Sequence, residues 1–312
     1  MHLAGYGYAE DVNSTKSKFR KGDILFGKLR PYFRKVVLAP FDGICSTDIW
    51  VIRAKNGVNQ KFLFYWMASQ EFIDEAMRGS EGTRMPRAKW DFVAQQTSFI
   101  TDLEKQKAIA HILGTLDDKI ELNQQMNRNL EAIASAIFKS WFVDFDPVRA
   151  KMEGKQPVGM DAATAALFPD LFEDLPQGEI PKGWQIKPLD QIANFLNGLA
   201  LQKYPPVGNE YLPVIKIAEL RRGVTESSGR ASSNIKTEYV VEDGDVLFSW
   251  SGSLEVCIWC GGRGALNQHL FKVTSADYPK WFYYQWVKYY LLTFRRSLLA
   301  KQQQWVTFNA II

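Results

Sequence analysis

Side chains able to do catalytic chemistry are few in this 312-residue chain and poorly spaced for it. The three histidines, His2, His111 and His269, are scattered, with no nucleophile at a recognisable spacing. Cys257-x-x-Cys260 looks like half a metal site. The surrounding Val256–Cys260 stretch reads as a strand, however, where residues three apart point to opposite faces. Zinc also needs two further ligands, and only His269 is near in sequence. With Cys45 the cysteines number three, too few for a disulfide framework, which fits a reducing cytoplasm. Gly261-Gly262-x-Gly264 lacks the Gly-Lys-Ser/Thr of a phosphate loop. A methyltransferase would need a glycine-rich cofactor loop and an Asp/Asn-Pro-Pro-aromatic motif, from which Asp146-Pro147-Val148 departs. Pro169-Asp170 is not followed by the Asp/Glu-x-Lys of a nuclease. The chain is expected to have no active site and no metal or cofactor of its own.

Polar residues suited to binding are better placed. Lys28, Arg30 and Arg34 crowd the stretch Gly27-Lys28-Leu29-Arg30-Pro31-Tyr32-Phe33-Arg34-Lys35, read as a loop at a strand end. Thr83, Arg84, Arg87 and Lys89 form a second polar loop. Further along, Ser251 lies among small donors in Ser249–Ser253, and Lys301, Gln302, Gln303 and Gln304 run consecutively. Arg221, Arg222 and Arg263 add cations. Arginine can bridge guanine O6 and N7, and glutamine can pair with adenine N6 and N7. Lysines and the remaining arginines suit phosphates, which give salt-sensitive affinity without sequence information. For any single residue, ordinary solvated loop chemistry explains the pattern as well. Charge is segregated: Lys+Arg exceed Asp+Glu by 15 to 10 in residues 1–101 and again in 181–312. They fall short by 6 to 8 in 102–150 and by 2 to 6 in 151–180. Two basic blocks around an acidic middle suit a polyanion touched at two places.

These loops sit at matching places in an internal repeat. Lys21-Gly22-Asp23-Ile24-Leu25-Phe26 returns as Asp243-Gly244-Asp245-Val246-Leu247-Phe248. Ser46–Ile52 aligns with Asn267–Val273, and the aromatic stretch 62–67 with 281–286. The offset stays near 220–222, which indicates a duplicated domain. Each copy mixes short β-branched strands with an aromatic helix, an α+β pattern. On that offset the start of the first copy falls about 38 residues before Met1. Residues 1–100 are therefore expected to form an N-terminally incomplete first domain, and 183–312 a second.

Between them, residues 101–145 predict one long helix. Ile109, Leu113, Leu116, Ile120, Asn123, Asn127, Leu130, Ala134, Ile137 and Trp141 follow steps of four and three, the seam of a coiled coil. Thr101-x-x-Glu104 reads as a capping box. A rod of about 60 Å should serve as a spacer. Ile109, Leu113, Leu116, Ile120, Leu130, Ile137 and Trp141 are candidates for pairing with another helix, with Asn123 and Asn127 limiting slippage. Residues 146–182, rich in Gly, Pro and charge, read as a linker with one short helix in Asp161–Phe168. No run approaches 18 apolar residues, so no membrane span is expected. The N-terminus lacks a signal pattern.

Leu103-Glu104-Lys105-Gln106-Lys107-Ala108-Ile109, Ile112–Asn123 and Phe138-Lys139-Ser140-Trp141-Phe142-Val143-Asp144-Phe145-Asp146-Pro147-Val148 resemble the conserved region of type I restriction-modification specificity subunits. Pro181-Lys182-Gly183-Trp184 is similar to the opening of their target-recognition domains, and the Gly-Asp-x-Leu-Phe repeats fit those domains. The resemblance implies two similar target-recognition domains separated by a long coiled-coil-type helix, reading a bipartite site on double-stranded DNA. It implies docking of methyltransferase (modification) subunits and of a motor-nuclease (restriction) subunit. S-adenosylmethionine, ATP and Mg would reside on those partners, and this chain would be non-catalytic. Thr101-Asp102 replaces prolines usual before the conserved helix, and a second conserved helix is missing. The alternative is an interaction fragment, forming a homodimer or pairing with another specificity chain or the methyltransferase, without specific DNA binding of its own.

Overall fold

The computed structural model describes residues 15–95, 101–176, 178–299 and 309–311. The chain divides into two compact units, residues 1–128 and 129–312. In the first, strands β1 (Lys16–Phe19), β2 (Ile24–Gly27), β3 (Val36–Leu38), β4 (Gly43–Ser46) and β5 (Ile49–Ile52) precede helices α1 (Gln60–Ala68) and α2 (Gln70–Arg78). The hairpin β6 (Ser80–Glu81) and β7 (Arg87–Ala88) follows, then α3 (Trp90–Val93) and the long helix α4 (Leu103–Phe142). The second unit takes in the last turns of α4 and continues with α5 (Asp146–Met152), α6 (Ala162–Ala166), β8 (Phe172–Leu175) and β9 (Gly178–Pro181). Next come β10 (Ile186–Pro188), α7 (Leu189–Ile192), β11 (Asn194–Asn197), β12 (Tyr211–Ile215), α8 (Ile217–Arg222), β13 (Arg230–Ser232) and β14 (Val240–Val241). It closes with β15 (Val246–Ser249), β16 (Glu255–Ile258), β17 (Gly264–Leu266), β18 (Leu270–Thr274), α9 (Lys280–Leu299) and β19 (Asn309–Ile311).

The class is α+β, and the repeat is visible in the strand register. β2 is the middle strand of the antiparallel sheet β3-β2-β5. β15 stands likewise between β16 and β18 in β11-β18-β15-β16. Phe26 faces Trp50 and Val36; Phe248 faces Phe271 and Val256. Both middle strands are buried on two sides, which is why they are apolar without alternation. Ile24 and Phe26 enter a core with Met67, Phe72 and Ile73, while Leu25 packs with Phe19 and Cys45. Val246 and Phe248 join Trp286 and Phe282, while Leu247 packs with Ile215 and Leu266. The preceding turn also repeats. Asp23 accepts from the Arg20 N–H at 2.7 Å and Asp245 from the Glu242 N–H at 2.8 Å. Gly22 (φ 87°) and Gly244 (φ 90°) supply its left-handed residue.

Helix α4 is present where the seam predicts it. Its cap is Asp102, whose carboxylate accepts from the Lys105 N–H at 2.9 Å, in place of the Thr101–Glu104 box. Because the helix begins at Leu103, Asp102 is the residue positioned to reach the third N–H. Its first turns lean on the first unit through Gln106, Ala110 and Gly114. Buried Gln106 accepts from the Asn59 N–H at 2.8 Å and donates to the carbonyls of Gly57 and Thr101. Its last turns lie in the second unit, where Phe138 meets Trp286 edge-on at 5.0 Å. Residues 146–182, expected as a linker, instead fold back as α5, α6 and the β8–β9 hairpin around Phe145, Val148 and Phe168. Apolar side chains spaced through a Gly- and Pro-rich stretch suffice to form this small cluster. No helix among the described residues is long and apolar enough to cross a membrane.

Candidate nucleic-acid interface

In the first unit the two polar loops, some fifty residues apart in sequence, form one surface. The chain leaving β2 hydrogen-bonds to the chain of β7. Leu29 bridges Arg87, the Arg30 N–H donates to the Pro86 carbonyl at 2.7 Å, and the Ala88 N–H donates to the Lys28 carbonyl at 3.0 Å. An open depression of about 590 Å³ results, lined by Lys28, Glu81, Thr83, Arg84, Arg87 and Lys89 among others. Asp48, just before β5, organises it: its carboxylate lies 3.2 Å from Arg87 Nε and 4.0 Å from Lys28 Nζ. Lys89 pairs with Glu81. Arg34 and Arg84 are exposed and make no ion pair among the described residues. Arg30 is half-buried, its Nη2 3.5 Å from the Arg84 carbonyl and its buried Nε without a hydrogen-bond partner.

The second unit keeps the framework and changes the chemistry. The offsets that relate the repeats carry Lys28 onto Trp250 and Asp48 onto His269. Where the first unit has an ion pair, the second has ring against ring, Trp250 and His269, at 5.9 Å. The Trp250 indole N–H donates to Asn197 Oδ1 at 3.1 Å, and Gln268 lies 3.3 Å from His269 Nε2. Half-buried Ser251 sits in this turn, its carbonyl accepting from Ser249 Oγ at 3.2 Å. Arg221 reaches the same end through Glu255, and Arg222 is exposed on α8. Arg263 is not part of this group. It pairs with Glu242 at 3.2 Å, beyond the opposite end of the β15–β16 hairpin, because its turn follows β16 rather than β15. Lys301, Gln302, Gln303 and Gln304 lie outside the described residues. Sequence reasoning missed Asp48, Asn197, Trp250, Gln268 and His269 as site residues. Asp48 and His269 stood in the aligned repeat all the same, and applying the offset to Lys28 would have flagged Trp250.

The seam of α4 is exposed as its pattern predicts: Ile109, Leu113, Leu116, Ile120, Leu130 and Ile137 are 36–57% accessible. Asn123 and Asn127 are exposed with them. Trp141 leaves this set, since its ring packs edge-on against Phe168 at 5.7 Å in the folded-back segment. Cys257 is half-buried in β16, and burial pushes its thiol up to about 12, so it stays protonated at neutral pH. Among the described residues no group of three His, Cys, Asp or Glu could hold a metal ion.

The two units thus carry different polar side chains at equivalent places of one hairpin framework. The family model for the type I restriction modification DNA specificity domain matches residues 6–132. That stretch, less than half of the chain, is what is similar to this domain. The chain is 31% identical over 260 residues to the type I restriction enzyme HindI specificity subunit of Haemophilus influenzae, covering 67% of this chain and 56% of that protein. To the MjaIX specificity subunit of Methanocaldococcus jannaschii it is 27% identical over 239 residues, 75% of this chain and 51% of the relative. The chain thus spans about half the length of the curated relatives it matches. The S subunit of the type I system from M. genitalium aligns over 96% of this chain and 73% of its own, at 15% identity and a TM-score of 0.41.

Proposed function

We propose that this chain reads DNA sequence within a type I restriction-modification assembly, each unit contributing one surface to a bipartite site. The observation that carries this reading is the merging of residues 28–34 and 83–89 into one cationic surface on the first unit. Arg30 and Arg84 have the donor geometry for base edges, while Arg34, Lys28 and Lys89 suit phosphates. In the second unit Arg221, Arg222 and Ser251 join Trp250 and His269 in the corresponding role. The chain itself brings no cofactor. S-adenosylmethionine belongs to partner modification subunits, and ATP and Mg to a restriction subunit, in the cytoplasm. Fluorescence anisotropy on random-sequence duplex at two salt concentrations tests the cationic surface. Replacing both Lys28 and Arg34 by Ala should weaken binding and reduce the log–log salt slope by about two, one for each phosphate no longer neutralised. An unchanged slope would remove this surface from the interface.

The apolar seam of α4 supports a second activity, pairing with another helix. A stripe of half-exposed Ile and Leu over the length of a helix is characteristic of a partner surface. A second copy of this chain, or the conserved helix of another specificity chain, is the occupant proposed here.

A further inference from the structure

The hairpin that follows Gly-Asp-x-Leu-Phe is two residues longer in the first unit than in the second. Phe26 pairs with Val36, whereas Phe248 pairs with Val256. The shorter turn places a glycine, Gly252 (φ 68°), in the left-handed conformation. The longer one forms a 3-10 turn, Pro31–Phe33, between Arg30 (φ 53°) and Arg34 (φ 48°). Left-handed residues other than glycine are costly, and they concentrate at functional sites. The turn is firmly held: the Phe33 N–H donates to the Arg30 carbonyl at 3.0 Å, the Arg34 N–H to the Pro31 carbonyl at 2.8 Å, and Pro31 is buried. At its tip stand Tyr32 and Phe33, 46% and 53% exposed, with ring centroids 4.6 Å apart. The Lys35 ammonium lies 5.3 Å from the Phe33 ring. Residues 28–35 hold four cations and no carboxylate.

A rigid aromatic pair facing solvent among cations matches the two surfaces of nucleic acid, base faces and phosphates. We propose that Tyr32 and Phe33 form a wedge that enters DNA at one base step and unstacks it, with Arg34 and Lys35 on the flanking phosphates. The proposal rests on the DNA-reading function above and adds a distortion to it. Because unstacking is cheapest at pyrimidine–purine steps, the wedge would favour such a step without reading its edges. The second unit lacks the two added residues, so the distortion belongs to one half of the site.

The test uses the full chain and a duplex site selected from a random library, with 2-aminopurine placed at each adenine in turn. Fluorescence should rise at one step in the wild-type complex. The double variant Tyr32→Ala, Phe33→Ala should lose that rise and bind about tenfold more weakly. Tyr32→Phe with Phe33→Tyr should keep both, and Arg34→Ala should bind more weakly but keep the rise at saturation. Both aromatic side chains are half in solvent, and an unchanged melting temperature verifies the fold. A double alanine variant that binds and reports like wild type overturns the wedge, as does a wild-type complex with no rise at any position. Loss of a modification subunit from the double variant, with DNA fluorescence unchanged, would make the pair a protein contact and also overturn it. Selection that enriches no sequence defeats the DNA-reading function itself, whereas enrichment without a fluorescence rise defeats the wedge alone.

Discussion

Asp48 holds two cations of the first unit's surface, Lys28 and Arg87, and so decides how much of the local positive charge is directed. Exposed ion pairs of this kind contribute little to stability, which leaves orientation as the main effect of the carboxylate. Asp48→Ala should therefore leave the melting temperature nearly unchanged. It should tighten binding to random duplex at low salt and narrow the gap between selected and random DNA. Weaker binding to both would show that Asp48 supports the fold instead. Asp23 has the opposite balance. It is buried, and its hydrogen bonds from the Arg53 guanidinium, 2.6 Å from each oxygen, hold its carboxyl below the ordinary 3.8. A carboxylate lowered in the folded state stabilises the fold above its unfolded pKa, and that contribution is lost as pH falls through the folded value. Asp23→Asn should cost about 1–3 kcal/mol at pH 7 and flatten the loss of stability below about pH 4. Parallel acid limbs in thermal melts of the two proteins would contradict this. The cations here were legible as residue types. Asp48 was not, because its partners come from two other segments that only the folded chain brings to it.

Helix α4 was the most legible element, since a period of 3.5 without proline admits few other readings. Its cap was misread by one position, and the fate of Trp141 was invisible, because the segment that covers Trp141 looked too rich in glycine and proline to fold. From Thr115 to Ala134 every residue of α4 is exposed. Burying a Leu or Ile is worth about 1.5–3 kcal/mol, so several on one stripe favour association. Sedimentation at tens of micromolar should show the wild-type chain as a dimer, and Leu116→Asp with Ile120→Asp should give monomer or insoluble protein. A compact wild-type monomer would refute the pairing.

Across the whole molecule, one hairpin framework is used twice with different side chains at equivalent places: Lys28 and Asp48 in one unit, Trp250 and His269 in the other. The repeat was readable because Gly-Asp-x-Leu-Phe is required by a turn and a doubly buried strand, and those constraints recur. The loop chemistry was readable as binding chemistry, but the joining of residues 28–34 to 83–89 was not, because it rests on backbone hydrogen bonds between segments distant in sequence. If the two units read separate half-sites, altering one loop must alter half of the recognised sequence. The most direct measurement is selection from a random duplex library by the full chain and by its triple variant Thr83→Ala, Arg84→Ala, Arg87→Ala, with both motifs sequenced. The expected result is two separated half-sites for the wild type, with only one relaxed in the variant. A single undivided motif, or a motif unchanged by the variant, would contradict the account.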